Sequence, residues 1–286
     1  MRLCLDDITE ATRYALIQAG TTFRRDQIAA YQRAIKKETN PNARWVLEQL
    51  LENARIAKSK RLPLCDDTGI PHVLVDIGSD IDLPAGWLPA VQSGVAQGLN
   101  QMPGRPMAVR GDGVQRIEQS AGLYRNPAKV ELAPVIVRPV GKKRLTIHVL
   151  LLGGGPEIRA QTRRVFHRRS LEHVLDETAS WICDEVGSLG CTPIVAAMGI
   201  GRTQAEAGAL MLEAMAKGNL DRQSAWEDRV TKRINQTLMG PLGLGGSTTA
   251  LGTFIKIGPT RASGVRIVSM RPCCCVEPRR ASVRLG

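Results

Sequence analysis

Leu64-Cys65-Asp66-Asp67-Thr68-Gly69-Ile70 divides the chain into two kinds of sequence. Before it, apolar residues recur at helical spacing: Ile8, Ala11, Tyr14, Ala15 and Ile17, then Trp45, Val46, Leu47, Leu50, Leu51 and Ala54. After it, alternating and continuous apolar runs of strand length appear among helices. The fold class expected is therefore mixed α+β: a helical N-terminal portion (residues 1–60), then mixed β-sheet with flanking helices. The whole of residues 1–286 is read as a single domain.

The stretch itself is a loop. Asp-Asp-Thr-Gly favours an Asx turn with glycine at positive φ. A cysteine directly before two carboxylates is unusual for a thiol that merely fills space. Two other cysteine loops lie far away in sequence: Gly187-Ser188-Leu189-Gly190-Cys191-Thr192-Pro193 and Arg271-Pro272-Cys273-Cys274-Cys275-Val276-Glu277-Pro278. Each thiol is flanked by Gly, Pro or Asp, which form loops.

Further along, the periodicity predicts helices over 88–100, 170–186, 204–217 and 222–238, and strands over 70–77, 194–200, 250–257 and 265–269. Thr22 is expected to cap a second helix, and Asn40-Pro41 to start a third. Residues 134–140 and 144–152 are expected to pair as a β-hairpin about Gly141-Lys142-Lys143. The second of these strands runs into Gly153-Gly154-Gly155-Pro156-Glu157, where backbone N–H groups can approach a ligand closely. Thr203 and Glu206 predict a capped helix start that could receive an anion. Arg105, between Gly104 and Pro106, suits bidentate capture of a carboxylate. Gly240-Pro241-Leu242-Gly243-Leu244-Gly245-Gly246 reads equally as a linker or an active-site loop.

Bulk composition narrows the classes. A chain of 286 residues that is 43% hydrophobic can bury a sizeable core. No run of about 18 apolar residues exists, so no membrane span is expected. The first residues do not resemble a secretory leader, which makes the cytoplasm the default. Seven cysteines at irregular spacing argue for reduced thiols or metal ligands over a disulfide framework. Cys4 and Cys183 read as structural. The net charge of +12 permits a polyanionic partner, but three Phe and three Tyr offer few stacking platforms and no nucleic-acid motif is present. Nucleic acid is therefore not expected as a partner.

No CxxC or HxxxH spacing supports a compact zinc site. Three separated cysteine loops suit a [4Fe–4S] cluster with three protein thiolates and one iron left for substrate. Neighbouring side chains diverge, so only one of Cys273, Cys274 and Cys275 is expected to bind it.

These motifs in this order resemble the alpha subunit, or N-terminal half, of class I iron–sulfur fumarate hydratases and L-tartrate dehydratases. The resemblance covers nearly the whole chain. It rests on Leu64–Gly69, Gly153–Glu157, Cys191-Thr192-Pro193 leading to Gly199-Ile200-Gly201-Arg202-Thr203-Gln204-Ala205-Glu206, and Gly240–Gly246. It implies Cys65 and Cys191 as cluster ligands and a third cysteine shortly before the Arg279-Arg280 pair, which favours Cys275 over Cys274. It implies that Asp67 and Arg105 meet a dicarboxylate or hydroxy-acid substrate, with Asp66, Gly154 and Gly155 beside it. It further implies a beta subunit that supplies the general base. Three departures stand out. Asp66 replaces a common Gln, Thr260-Arg261 stand where a His often precedes Ala-Ser, and Pro156 stands where Ser is common. The activity expected is reversible hydration of fumarate to malate. Dehydration of L-tartrate, or a cluster-bearing sensor without activity, are the alternatives.

Overall fold

A computed structural model describes residues 3–141 and 144–286. In chain order its principal elements are α1 (Leu5–Thr21), α2 (Arg25–Lys37), α3 (Pro41–Lys60), β1 (Ile70–Gly78), α4 (Trp87–Gln101), α5 (Gly113–Glu118), β2 (Ile136–Val140), β3 (Leu145–Leu152), α6 (Gly154–Glu157), β4 (Gln161–Phe166), α7 (Leu171–Leu189), β5 (Ile194–Gly201), α8 (Gln204–Lys217), α9 (Ala225–Asn235), β6 (Ala250–Ile257), β7 (Val265–Cys273) and β8 (Arg279–Leu285). The fold is mixed α+β with a helical N-terminus. The residues gather into two compact units. One holds the residues up to Thr22, Ala54–Gly153 and Arg279–Gly286; the other holds Phe23–Asn53 and Gly154–Pro278.

The first unit is a four-stranded sheet in the order β2-β1-β3-β8. Ile8, Ala15, Leu16, Val91, Val95 and Leu99 of α1 and α4 form its core with Val73, Val75, Ile147, Val149 and Leu151. Alternate strand residues thus meet the helices, as the two-residue pleat requires. A row of polar side chains crosses the strands as well. Ser282 and His148 Nδ1 lie 2.7 Å apart, His148 Nε2 is 3.3 Å from Asp76, and Asp76 is 3.5 Å from Arg138. Each member meets another, so the row carries no isolated buried charge.

The expected hairpin is not formed. β1 lies between its two strands, parallel to β2 and antiparallel to β3. Alternation identified the strands, but it carries no information about which strand pairs with which. Lys142 and Lys143 of the expected turn lie outside the described residues.

The second unit is a sheet in the order β4-β7-β5-β6. Ile194, Ala196, Met198 and Ile200 of β5 face α7 and α9, alongside Val165, Val268 and Met270. The opposite face meets α8, where a Cβ on Gly199 would strike the Ala207 carbonyl. With both faces covered, β5 is buried along its whole length. β6 is an edge strand, yet its outward N–H groups are taken by side chains. Gln223 accepts from Thr253 (2.9 Å), Glu227 from Ile255 (3.0 Å) and Asn235 from Ala250 (2.7 Å). An exposed row of donors, which would template pairing with another chain, is thereby closed.

Two local expectations are corrected. Arg24, not Thr22, precedes α2, and it makes no side-chain cap; its guanidinium reaches the Asp26 carboxylate and the Pro278 carbonyl instead. β7 runs on past Ser269 to Cys273, so Cys273 is a strand residue and not part of a loop.

The C-terminus of α2 is held by Glu38, a buried carboxylate. It accepts from the backbone N–H groups of Thr39 (3.0 Å), Asn40 (3.1 Å) and Ser247 (2.8 Å), and from the Ser247 hydroxyl (3.0 Å). Burial pushes its pKa up, but the donors from Asn40 and Ser247 outweigh burial and hold it below the usual glutamate value. A carboxylate depressed in the folded state stabilises above its unfolded pKa of about 4.3, and that stability is lost as pH falls through the lower folded value. Urea unfolding of Glu38→Gln should therefore show lower stability than wild type at pH 7 and a shallower loss between about pH 5 and pH 3. Parallel pH profiles for the two proteins would rule out this role for Glu38.

Candidate functional site

In the first unit, the loop after α3 is pinned from several sides. Leu64 donates its N–H to the Gly20 carbonyl at 2.9 Å. Gly69 N–H donates to Asp67 Oδ1 at 3.1 Å, which is the Asx turn. Gly69 has φ +81°, and a Cβ there would lie 2.7 Å from both the Arg279 guanidinium and the Leu152 backbone, so no other residue fits. Buried Arg279 donates to the Asp67 carbonyl at 2.5 Å.

On this fixed loop sit Cys65 and Asp66, and Arg105 reaches Asp66 from the segment after α4. The Cys65 thiol donates to Asp66 Oδ1 at 3.4 Å, and Arg105 donates to Asp66 Oδ2 at 3.2 Å. The Arg105 backbone is itself held: its N–H donates to the buried Thr68 hydroxyl at 2.6 Å. The Cys65 thiol, the Asp67 N–H and the Arg105 charge together hold the Asp66 carboxyl below the usual range. Asp66 is thus ionised at neutral pH. The Asp66 and Arg105 side chains remain 83% and 58% exposed, so the pair adds little to stability and Arg105 can exchange it for another carboxylate.

In the second unit, Cys191 follows Gly190, which ends α7 in the left-handed region. Cys275 donates its N–H to the Cys191 carbonyl at 2.8 Å. This hydrogen bond joins two of the expected ligands across 84 residues of sequence. The glycine-dense loop acts as a clamp on the Cys191 turn: Thr192 donates its hydroxyl to the Gly240 carbonyl at 2.5 Å, and Leu242 donates its N–H to the Thr192 carbonyl at 3.1 Å. Gly240 has φ +66°, and a Cβ would overlap the Gly245 carbonyl at 1.9 Å. The choice left open for Gly240–Gly246 thus falls to a structural clamp on a cysteine loop.

The third cysteine loop is organised by ions. Arg271 is fully buried and donates to the equally buried Glu277 at 3.2 Å and to Glu157. Burial weakens its charge, but Glu277 and Glu157 more than offset this, and its pKa rises. Tyr31 donates its hydroxyl to the Cys275 carbonyl at 2.6 Å. Cys273 stands apart from the turn that follows it. It is wholly buried, its sulfur lies 3.4 Å from Met215 Sδ, and burial pushes its thiol far up. Cys274 packs against the hydrophobic core of the second unit, whereas Cys275 is hydrogen-bonded through its backbone to Cys191.

Gly154 begins the single turn of α6, and Gly155 has open space where a side chain would stand. Arg159 links this turn to the Cys191 approach, donating to the Gly155 carbonyl (3.0 Å) and to Ser188. The start of α8 does not offer an anion site. Thr203 accepts from the Glu206 N–H, and the Glu206 carboxylate takes the Arg202 N–H at 2.6 Å together with its guanidinium. The chain supplies its own anion there.

The structure thus brings together Cys65, Asp66, Asp67 and Arg105 in one unit, and Cys191, Cys275 and Gly155 in the other. No disulfide joins any of the seven cysteines. Among the described residues no three Cys, His, Asp or Glu side chains surround a single ion. Thiolates on a [4Fe–4S] cluster each bind a different iron and need not surround one ion, and Cys191 and Cys275, joined through their backbones, are compatible with such a donor set. Sequence reasoning missed Thr68, Arg159, Tyr31, Arg271, Glu277 and Arg279 as the residues that position the site. Only Arg279 carried a signal, through its place after the third cysteine loop.

Residues 9–284 match the family model of fumarate hydratase (fumerase), and the chain belongs to that family. A relative from Methanocaldococcus jannaschii is 27% identical over 266 residues, which is 90% of each chain. It bears the provisional name L(+)-tartrate dehydratase subunit alpha. No helix among the described residues is long and apolar enough to cross a membrane.

Replacing Arg271 by Leu should take its closest cation from buried Glu277 and cost roughly 3–5 kcal/mol in urea unfolding. Asp66→Asn, on the exposed loop, should change stability by less than about 1 kcal/mol. A mild Arg271→Leu effect would show that the buried ions do not hold the third cysteine loop.

Proposed function

We propose that the chain is the alpha subunit of an iron–sulfur hydro-lyase that interconverts fumarate and malate. The observation that carries this reading is the Cys65-Asp66-Thr68-Arg105 cluster in a chain of the fumarate hydratase family. It sets a half-exposed thiol beside an exchangeable guanidinium on a loop that cannot slacken. Cys65, Cys191 and Cys275 would hold a [4Fe–4S] cluster. When bound, such a cluster with one iron free of protein supplies a Lewis acid for a departing hydroxyl.

The other steps belong to the side chains. Arg105, its backbone fixed by Thr68, would leave Asp66 and clamp a substrate carboxylate through paired N–H donors. Asp67, with one oxygen steadied by the Gly69 N–H, would accept from the substrate hydroxyl and orient it. Gly155 has no side chain to obstruct the substrate backbone. None of these groups is placed to remove the carbon-bound proton, and a beta subunit would supply that base. Thiolates serving a cluster call for a reducing compartment, hence the cytoplasm.

A second reading, dehydration of L-tartrate to oxaloacetate, is favoured by Asp66. Its ionised carboxylate can accept from the second hydroxyl of tartrate. Malate has no such donor to spare, and Gln at this position would not carry the negative charge. The name of the archaeal relative points the same way.

The test is anaerobic reconstitution with iron and sulfide. The wild-type chain should bind close to four irons, as a [4Fe–4S] cluster demands. Cys65→Ala, Cys191→Ala and Cys275→Ala should each lose most of the iron, while Cys4→Ala and Cys183→Ala keep it. Malate and L-tartrate should turn over only after the fumarate hydratase-type beta subunit is added. Iron retained in all three ligand variants, or full turnover by the isolated chain, would overturn the reading.

A further inference from the structure

The positive charge of this chain is not spread evenly. Gln161–Ser170 contains Arg163, Arg164, Arg168 and Arg169, and residues 258–266 add Arg261 and Arg266, with no Asp or Glu in either segment. These six arginines are distant in sequence but neighbours in the second unit. β4 pairs antiparallel with β7, so Phe166 lies opposite Val265 and Arg164 opposite Ile267. Just past the strand ends, the His167 N–H donates to the Gly264 carbonyl at 3.0 Å, and His167 Nε2 is 2.8 Å from the Ser263 carbonyl. The two arginine-bearing turns are therefore side by side at one edge of the sheet.

No salt bridge engages Arg163, Arg164, Arg168, Arg169 or Arg261 among the described residues. Arg266 donates to the carbonyls of Ser263 and Val265 and holds the neighbouring turn in place. Arg163 lies over the Trp181 ring at 5.1 Å, and Arg164 over Phe166 at 5.9 Å. Phe166 is 59% exposed at the edge. Arg168 and Arg169 are consecutive residues at φ +47° and φ +57°. Two non-glycine residues in the left-handed region cost stability, and such strain is commonly retained where it presents side chains. Charges on an edge strand also discourage pairing with other chains. That role needs neither the strained pair nor an exposed aromatic between cations.

We infer that the β4 edge binds single-stranded RNA, with Arg164, Arg168, Arg169 and Arg261 on phosphates and a base stacked on Phe166. Guanidinium groups match phosphate oxygens bidentately, and a base plane flanked by an aromatic ring and an arginine is a common single-strand platform. An exposed edge strand suits an extended single strand, whereas a duplex presents no unstacked base to Phe166. This site shares no residue with the cysteine loops, and nothing in its argument uses the hydro-lyase reading. It runs against the expectation of no nucleic-acid partner, which rested on the number of aromatics and not on the placement of one of them.

The experiment is fluorescence anisotropy of the purified chain with a labelled oligouridine. Neutralising about four phosphates should weaken binding roughly 50-fold between about 50 and 200 mM salt. The variant Arg164→Gln/Arg168→Gly/Arg169→Gly should lower the logarithmic salt slope by about 2. Glycine accepts positive φ, so this variant should keep or raise its thermal midpoint. Phe166→Ala should weaken binding about 5-fold or more with the salt slope unchanged. The inference fails if the triple variant binds as wild type does. It fails equally if Phe166→Ala is silent, or if polyglutamate or anionic vesicles bind as tightly as the oligouridine, since the edge would then be a general polyanion surface.

Discussion

A guanidinium sealed from water dictates the course of the last cysteine loop. Arg271 projects from β7 toward the α8 side of its sheet, and its charge has to be matched inside the protein. The match comes from Glu277, six residues later, so the chain between them must turn back on itself. Cys275 lies within that turn. Its N–H meets the Cys191 carbonyl and its own carbonyl meets Tyr31. Two thiol-bearing residues become neighbours because one arginine requires a partner. On the other unit, Arg279 does comparable work from the same terminal stretch, fixing the Asp67 carbonyl through a short hydrogen bond.

The loops are therefore rigid for reasons that differ from the chemistry they serve. Asp67 closes an Asx turn, Thr68 takes the Arg105 N–H, Thr192 is gripped by the glycine loop, and Arg159 joins Gly155 to Ser188. In each case a polar side chain satisfies backbone groups that a loop leaves unpaired. The exposed pair Asp66–Arg105 is the exception. It lies in solvent, and its low worth to the fold is what leaves Arg105 available to a ligand.

Much of this was legible where the signal is local. Thr203 and Glu206 bracketed α8 from Gln204 to Lys217, Ser170 marked the start of α7, and the apolar run from Ile194 gave β5. The strands β2 and β3 were legible too, but their partner was not, since β1 enters from 60 residues away and leaves no mark on their alternation. β4 escaped because Val165 is its one buried residue, set among arginines that read as loop. At the site, Cys65, Cys191, Asp66 and Arg105 stood out by residue type and neighbours. Arg271 and Glu277 did not: six residues in an irregular segment match no helical or strand period, and burial of an arginine has no sequence signature.

The first unit completes its sheet with β8, whose residues pair along β3 from Leu145 to Leu151 and add Ala281, Val283 and Leu285 to the core. Those residues leave the ribosome only after the whole second sheet has done so. Until they emerge, β3 offers an open flank and the core above it lacks a wall, although every other part of that unit has long been synthesised. The nascent chain must accordingly hold an unfinished N-terminal unit through the making of the whole second sheet, a period in which a chaperone would find its natural client.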